Sequence, residues 1–102
     1  MKQHLFVLLI IFFPLFSVGQ STVVTGYVTD SLTGKPISFV KVKYQFTGIG
    51  AFTDTLGFFS IKTNEPADTL EFIYIGYKIV KVPVVAGEKQ SFNISLAPIT
   101  NV

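Results

Sequence analysis

From Ser21 onward the chain never holds one hydrophobic pattern for long. Short runs of alternating apolar and polar residues are cut by Gly, Pro, Asn or Asp at close intervals. A period of two sends successive side chains to opposite faces, the pattern of strands, and the frequent breakers supply turns. No segment carries a sustained helical stripe, so this part of the chain is confined to strands and their connections. The stretch that organises it is Thr53-Asp-Thr-Leu-Gly-Phe-Phe-Ser-Ile61. A polar turn closed by Gly57 launches a strand whose Phe59 and Ile61 point into a core while Phe58 faces partly out. The stretch reads as a hairpin on which the other strands pack.

The first strand is Thr22 to Thr29, with Val24 and Val28 on one face and Gly26 between them, where a neighbour can come close. Asp30-Ser-Leu-Thr-Gly34 is a turn: Asp30 accepts backbone N–H groups and Gly34 supplies positive φ. Pro36 then stands at a strand start, where its missing N–H does least harm. The second strand, Phe39 to Phe46, alternates Val40, Val42 and Tyr44 with Lys41, Lys43 and Gln45, so one face is buried and the other wet. Thr47 to Gly50 turns the chain, Ala51 to Thr53 is a short strand, and Asp54 to Gly57 leads into the strand Phe58 to Thr63. A loop holding Pro66 precedes Thr69 to Ile75, a run apolar enough on both faces to be central. Gly76 breaks it as a bulge or a close approach. Tyr77 to Val84 follows, with Lys78 and Lys81 on its wet side and Pro83 placing it at an edge. Ala86 to Lys89 is a hairpin loop, and Gln90 to Leu96 closes the chain with Phe92, Ile94 and Leu96 inward. The whole is all-β: seven strands arranged as a two-sheet sandwich.

Residues 1–19 differ. They open with Met1, Lys2 and His4, run through an apolar block from Leu5 to Val18, 14 residues long, and end in the small residues Ser17 and Gly19. That is the layout of a secretory signal peptide cleaved before Gln20, and the block falls short of the roughly 20 residues a membrane-spanning helix needs. With no Cys at the cleavage point, lipoprotein acylation is excluded. The expectation is an exported protein with one domain over residues 20–97 and a tail or truncated linker over 98–102.

Composition removes most chemistry. The absence of Cys rules out disulfides, thiolate metal sites and thiol nucleophiles. The cations are all lysines, scattered against six acids, and with no Arg there is no bidentate phosphate recognition, which argues against nucleic acid as a partner. His4 is the sole histidine and leaves with the leader, so no imidazole base or triad remains. Asp30, Asp54 and Asp68 sit in turns containing Gly or Pro, where aspartate caps backbone donors, and no Asp-x-Asp spacing gathers ligands for calcium. Catalytic, cofactor and metal residues are therefore expected to be absent. Asn93-Ile-Ser95 matches a glycosylation acceptor but lies on a strand, and Gly48 and Gly50 precede no helix that could cradle phosphate.

What remains is surface. Phe46, Phe52, Phe58 and Tyr77 exceed what one core can hold and form either a docking patch for a protein or a stacking platform for sugars. Absence of Trp weakens the sugar reading, and the plainer reading is extra cover for the core and sheet ends. An edge strand could also accept a partner strand, with Lys78, Lys81 and Pro83 guarding one edge.

Taken together, Val24-Thr-Gly26-Tyr-Val28-Thr-Asp30, Thr33-Gly-Lys-Pro36-Ile, Val40-Lys-Val42, Thr53-Asp54-Thr-Leu-Gly57-Phe-Phe59-Ser-Ile61 and Tyr74-Ile-Gly76-Tyr77 closely resemble the carboxypeptidase regulatory-like domain, in order and spacing as well as in residues. The resemblance covers the chain after the leader. It implies a transthyretin-like, seven-stranded sandwich and a non-catalytic accessory role, of the kind found at the mature N-terminus of TonB-dependent receptors and other outer-membrane proteins of Bacteroidetes. Its partner would then be a protein or the adjacent domains of a longer chain, with membrane association only through a partner or a C-terminal region not in this sequence. The alternative is a free-standing secreted or periplasmic module that binds a glycan or a peptide.

Overall fold

A computed structural model describes residues 21–100; the expected signal peptide and cleavage point lie outside them. Seven strands form in chain order: β1 (Thr22–Asp30), β2 (Lys41–Tyr44), β3 (Gly50–Phe52), β4 (Phe58–Thr63), β5 (Thr69–Ile73), β6 (Val80–Pro83) and β7 (Lys89–Leu96). They build a three-stranded sheet in the order β4-β1-β7 and a four-stranded sheet in the order β3-β2-β5-β6. The all-β, two-sheet sandwich expected from the alternating runs is the architecture found.

The inward faces meet as that alternation requires. Val24 and Val28 from β1, Phe59 and Ile61 from β4, and Ile94 and Leu96 from β7 oppose Val42 and Tyr44 from β2 and Leu70 and Phe72 from β5. Phe59 and Phe72 pack edge to face, 5.4 Å apart at 71°, and each such buried side chain contributes about 1.5–3 kcal/mol over its exposed state. Gly26 faces the same interior. A Cβ there would lie 1.9 Å from the Phe92 carbonyl oxygen and 3.0 Å from the Phe59 ring, so the close approach expected at this position is real.

Two connections differ from expectation. Thr53 to Ile61 is not a hairpin: β3 pairs with β2 and β4 pairs with β1, so the Asp54–Gly57 turn carries the chain from one sheet to the other. The turn chemistry itself is as expected. The Asp54 Oδ1 accepts the N–H groups of Leu56 and Phe58, each at 2.9 Å. Gly57 holds φ +77° with a Cβ position 2.5 Å from the Val28 carbonyl oxygen. Ala86 to Lys89 is likewise a crossover, because the chain leaves the four-stranded sheet after β6 and β7 runs parallel to β1 in the other sheet. Gln90 braces that passage by bonding both the N–H and the C=O of Val85, at 2.9 and 2.8 Å.

Smaller corrections follow from local geometry. Pro36 starts no strand and forms an isolated bridge with Thr29. The second strand is only Lys41–Tyr44, because Phe39 adopts φ +65° and Gln45 to Thr47 already turn. β3 begins at Gly50 and ends before Thr53. β5 is central, as its place between β2 and β6 shows, but it ends at Ile73 and buries one face only. Gly76 is neither bulge nor close approach. Its φ of +87° and the empty space at its Cβ position mark a turn, so β6 starts at Val80 rather than Tyr77.

Candidate functional site

The sequence-expected surface residues do not lie on one surface. Phe58 is half-buried on the outer face of the three-stranded sheet, where its ring lies 5.2 Å from that of Tyr27. Tyr77 is half-buried against the core and donates its hydroxyl hydrogen to the Asp30 Oδ2 at 2.5 Å. The same carboxylate's Oδ1 accepts the N–H groups of Leu32 and Thr33 at 2.7 and 3.1 Å, and Gly34 closes that turn at φ +74°. These bonds hold the Asp30 carboxyl below the usual carboxylate range, the Tyr77 bond foremost, and the same bond pushes the Tyr77 hydroxyl up. Tyr77 and Asp30 thus tie the turn after β1 to the segment that precedes β6.

Phe46 and Phe52 are different. Phe52 is 61% exposed on β3, and Phe46 is 76% exposed in the turn that leads into it. Phe39, 70% exposed, stands at the other end of β3, where its N–H donates to the Thr53 carbonyl oxygen at 2.9 Å. Its left-handed backbone is unusual for a bulky residue and costs about 1–3 kcal/mol. Three large aromatic side chains therefore flank or occupy one three-residue strand without gaining burial.

β3 is held to the body by its other side. The Tyr44 N–H bonds the Ile49 carbonyl oxygen at 2.9 Å and the Thr53 N–H bonds that of Val40 at 3.0 Å. The buried Thr53 hydroxyl accepts from the Val40 N–H at 2.9 Å and donates to the Ile37 carbonyl oxygen at 2.7 Å. Backbone groups alternate in direction along an antiparallel strand. Residues 49, 51 and 53 therefore bond toward β2, and the N–H and C=O groups of Gly50 and Phe52 point outward from the sheet.

The outer face beside this edge is hollow and cationic. Gly50 sits opposite Lys43 and Phe52 opposite Lys41. A hollow of about 180 Å³ opens between Lys41, Lys43, Gly48, Gly50 and Phe52. A Cβ at Gly50 would lie 2.1 Å from the Val42 carbonyl oxygen and 2.8 Å from the Lys43 Cα, so only glycine lets β3 approach β2 this closely. Lys43 pairs with Glu71 at 3.0 Å, and Lys81 reaches the same carboxylate at 3.6 Å. Chiefly through Lys43, these cations hold Glu71 below the usual carboxylate range. Lys41 has no carboxylate within ion-pair distance among the described residues.

The remaining expected residues are structural in placement: Gly26, Asp30, Gly34, Asp54, Gly57, Phe59 and Gly76 shape turns or the interior, and Pro36 covers Gly57, with its Cβ 3.1 Å from the Cβ position there. Among the described residues no group of three or more His, Cys, Asp or Glu side chains is placed to hold a metal ion. Sequence reasoning missed Phe39, Lys41, Lys43 and Gly50 as one locality. The alternation placed both lysines on a wet face, but nothing local said that the strand beside them was an open edge.

Several solved structures share the fold. A chain of a type II cohesin–X-dockerin complex from Acetivibrio cellulolyticus, an N-terminal interface mutant, superposes with a TM-score of 0.61 at 22% identity over 76% of this chain. The corresponding C-terminal interface mutant gives 0.55 at 20% identity over 74%. A candidate carbohydrate-binding protein from Bacteroides uniformis ATCC 8492 gives 0.52 at 14% identity over 78%. The chain spans 58%, 56% and 43% of the lengths of those three. No curated protein matches the sequence. The CarboxypepD_reg-like domain model, in contrast, matches residues 24–101, a span that takes in all seven strands but the first two residues of β1. The chain belongs to the CarboxypepD_reg-like domain family.

Proposed function

We propose that this protein is a non-catalytic interaction module of an exported bacterial cell-envelope protein, standing at the N-terminal side of an outer-membrane receptor of the TonB-dependent type. The observation that carries the interaction role is the β3 edge, where Phe39, Phe46 and Phe52 are exposed beside backbone groups with no partner among the described residues and a cationic hollow. Exposed apolar area concentrated beside open hydrogen-bonding groups is what a docking surface offers. Family membership, and the likeness to a sandwich taken from a cohesin–dockerin complex, support a role in protein contacts. The leader-like residues 1–19 support export.

A second reading, a free-standing glycan-binding module, draws on the opposite sheet. Tyr27, 48% exposed, tilts over Phe58 in a row with the Thr25 and Ser91 hydroxyls, which bond at 3.2 Å. An exposed aromatic ring among hydroxyl groups suits sugar stacking, and one fold relative is a candidate carbohydrate-binding protein.

The source genome read past the Val102 codon separates the two. A frame continuing into a plug and barrel is the expected result; an immediate stop codon would overturn the receptor role and favour the free-standing module. Turnover of peptide or glycoside substrates by the purified protein would overturn the non-catalytic reading itself.

A further inference from the structure

We infer that the free edge of β3 takes an extended acidic segment of a partner protein as an added strand, hydrogen-bonded to Gly50 and Phe52, with a carboxylate seated over Gly50 beside Lys41 and Lys43. The inference rests on the interaction role proposed above and names the partner's chemistry.

Backbone direction comes first. The outward N–H and C=O groups of Gly50 and Phe52 have no backbone partner among the described residues, and an added strand is the arrangement that pairs both residues at once. Ile49 to Thr53 includes neither a charge nor a proline to oppose an added strand.

Side-chain chemistry then selects the occupant. The residue of an added strand opposite Gly50 projects beside the hollow that Gly50 lines together with Lys41, Lys43 and Phe52. The charged residues lining that hollow are Lys41 and Lys43, and Lys41 has no carboxylate within ion-pair distance among the described residues. Across this face three lysines, Lys41, Lys43 and Lys81, stand against Glu71 alone, and Glu71 reaches Lys43 from the far side. A carboxylate arriving from the open edge completes the charge pattern, whereas a lysine there would be repelled. Two positions along, the partner's side chain lies opposite Phe52, where an apolar residue fits. A second copy of this chain pairing through β3 would bring two lysine-bearing faces together without supplying that carboxylate.

The test uses the purified protein and the acetylated, amidated heptapeptide Thr-Val-Thr-Glu-Thr-Val-Thr, whose symmetric sequence offers a central Glu in either strand direction. Titration followed by amide NMR is expected to show saturable binding with Kd below about 1 mM, with the largest shifts at Gly50 and Phe52. Replacing the Glu by Gln, or Lys41 by Ala, should weaken it at least about three-fold. Phe52→Pro removes an outward N–H and the exposed ring but no bond to β2, and should abolish binding while leaving the melting curve in place. Should that variant misfold, Phe52→Lys tests the same edge by charge. No saturable shift at 5 mM peptide, equal affinity for the Gln peptide, shifts centred on β7, or a β3-mediated dimer without peptide would each overturn the inference. None of those results would alter the reading frame past Val102, so the receptor role stands or falls separately.

Discussion

Among the described residues the four-stranded sheet has two free edges, and they are built on opposite principles. On β6 the register with β5, together with the Val84 N–H to Asp68 carbonyl bond of 2.8 Å, turns residues 80, 82 and 84 inward and leaves Lys81 and Pro83 facing out. One outward position thus carries a charge and the other has no N–H to offer, which is how natural sheets discourage a further strand. On β3 the same alternation leaves Gly50 and Phe52 facing out, one with no side chain and one with an exposed aromatic ring. Sheet geometry fixes which residues face out, and residue choice at those two positions decides whether the edge is closed or open. The open edge also hosts the strained Phe39, a cost that buys no burial for its ring.

The contrast can be broken or sharpened by substitution. The largest effect should come from the interior that both edges share. Phe59→Ala removes the ring packed on Phe72 and is expected to cost about 3–5 kcal/mol in chemical denaturation, dissolving both edges together. A loss below about 1 kcal/mol would show that the two sheets are not joined through this contact.

Next come adjacent prolines on β3. Ala51→Pro deletes an N–H that bonds β2 and should cost about 2–3 kcal/mol, while Phe52→Pro should stay within about 0.5 kcal/mol of the parent. Equal costs at the two positions would mean that residue 52 also bonds inward, and the open edge would not exist.

Phe39→Gly should raise stability by about 0.5–1 kcal/mol in a thermal melt, because glycine accepts φ +65° without strain and no burial is lost. An unchanged or lower melting temperature would show that the ring contributes to the fold after all.

The smallest effects are electrostatic, since exposed pairs are screened. Glu71 and Asp30 both have folded-state pKa values lowered from ordinary values of 4.5 and 3.8. Near those values the unfolded chain binds more protons than the folded one. Their stabilisation is therefore fully present above that range and is lost as pH falls through the lowered values. Glu71→Gln on the closed side of the sheet and Tyr77→Phe at the loop tie should each shallow the acid limb of a stability-against-pH curve. An acid limb unchanged in both variants would contradict the assignment of those shifts.

How much of this was readable from residues alone divides along the same line as local and distant information. The bounds of β4 are legible because Phe58 to Thr63 alternates cleanly and Asp54 and Gly57 announce the turn before it. The interior followed from alternation too: Val24, Val28, Val42, Tyr44, Phe59 and Leu96 are buried as their positions in the runs require. Topology did not follow. A turn such as Asp54–Gly57 reverses the chain in the same way whether the next strand joins the old sheet or the opposite one, and β4's actual partner, β1, lies far back in sequence. The parallel pairing of β1 with β7 joins opposite ends of the domain and leaves no local mark. The β3 edge is hidden for the same reason: Lys41, Lys43 and Phe52 are individually visible, but only the strand order says that no further strand lies beyond Gly50 and Phe52 among the described residues. The left-handed Phe39 had no residue signal, since it stands where glycine or asparagine is expected.

The most direct test of the open edge is residue-resolved amide hydrogen exchange on the purified protein without any partner. We expect Ala51, bonded to β2, to exchange slowly while Gly50 and Phe52 exchange at rates close to those of solvent-exposed loop amides. Protection at Gly50 and Phe52 equal to that at Ala51 would mean that this edge is already covered, and the interaction surface would have to be sought elsewhere on the sandwich.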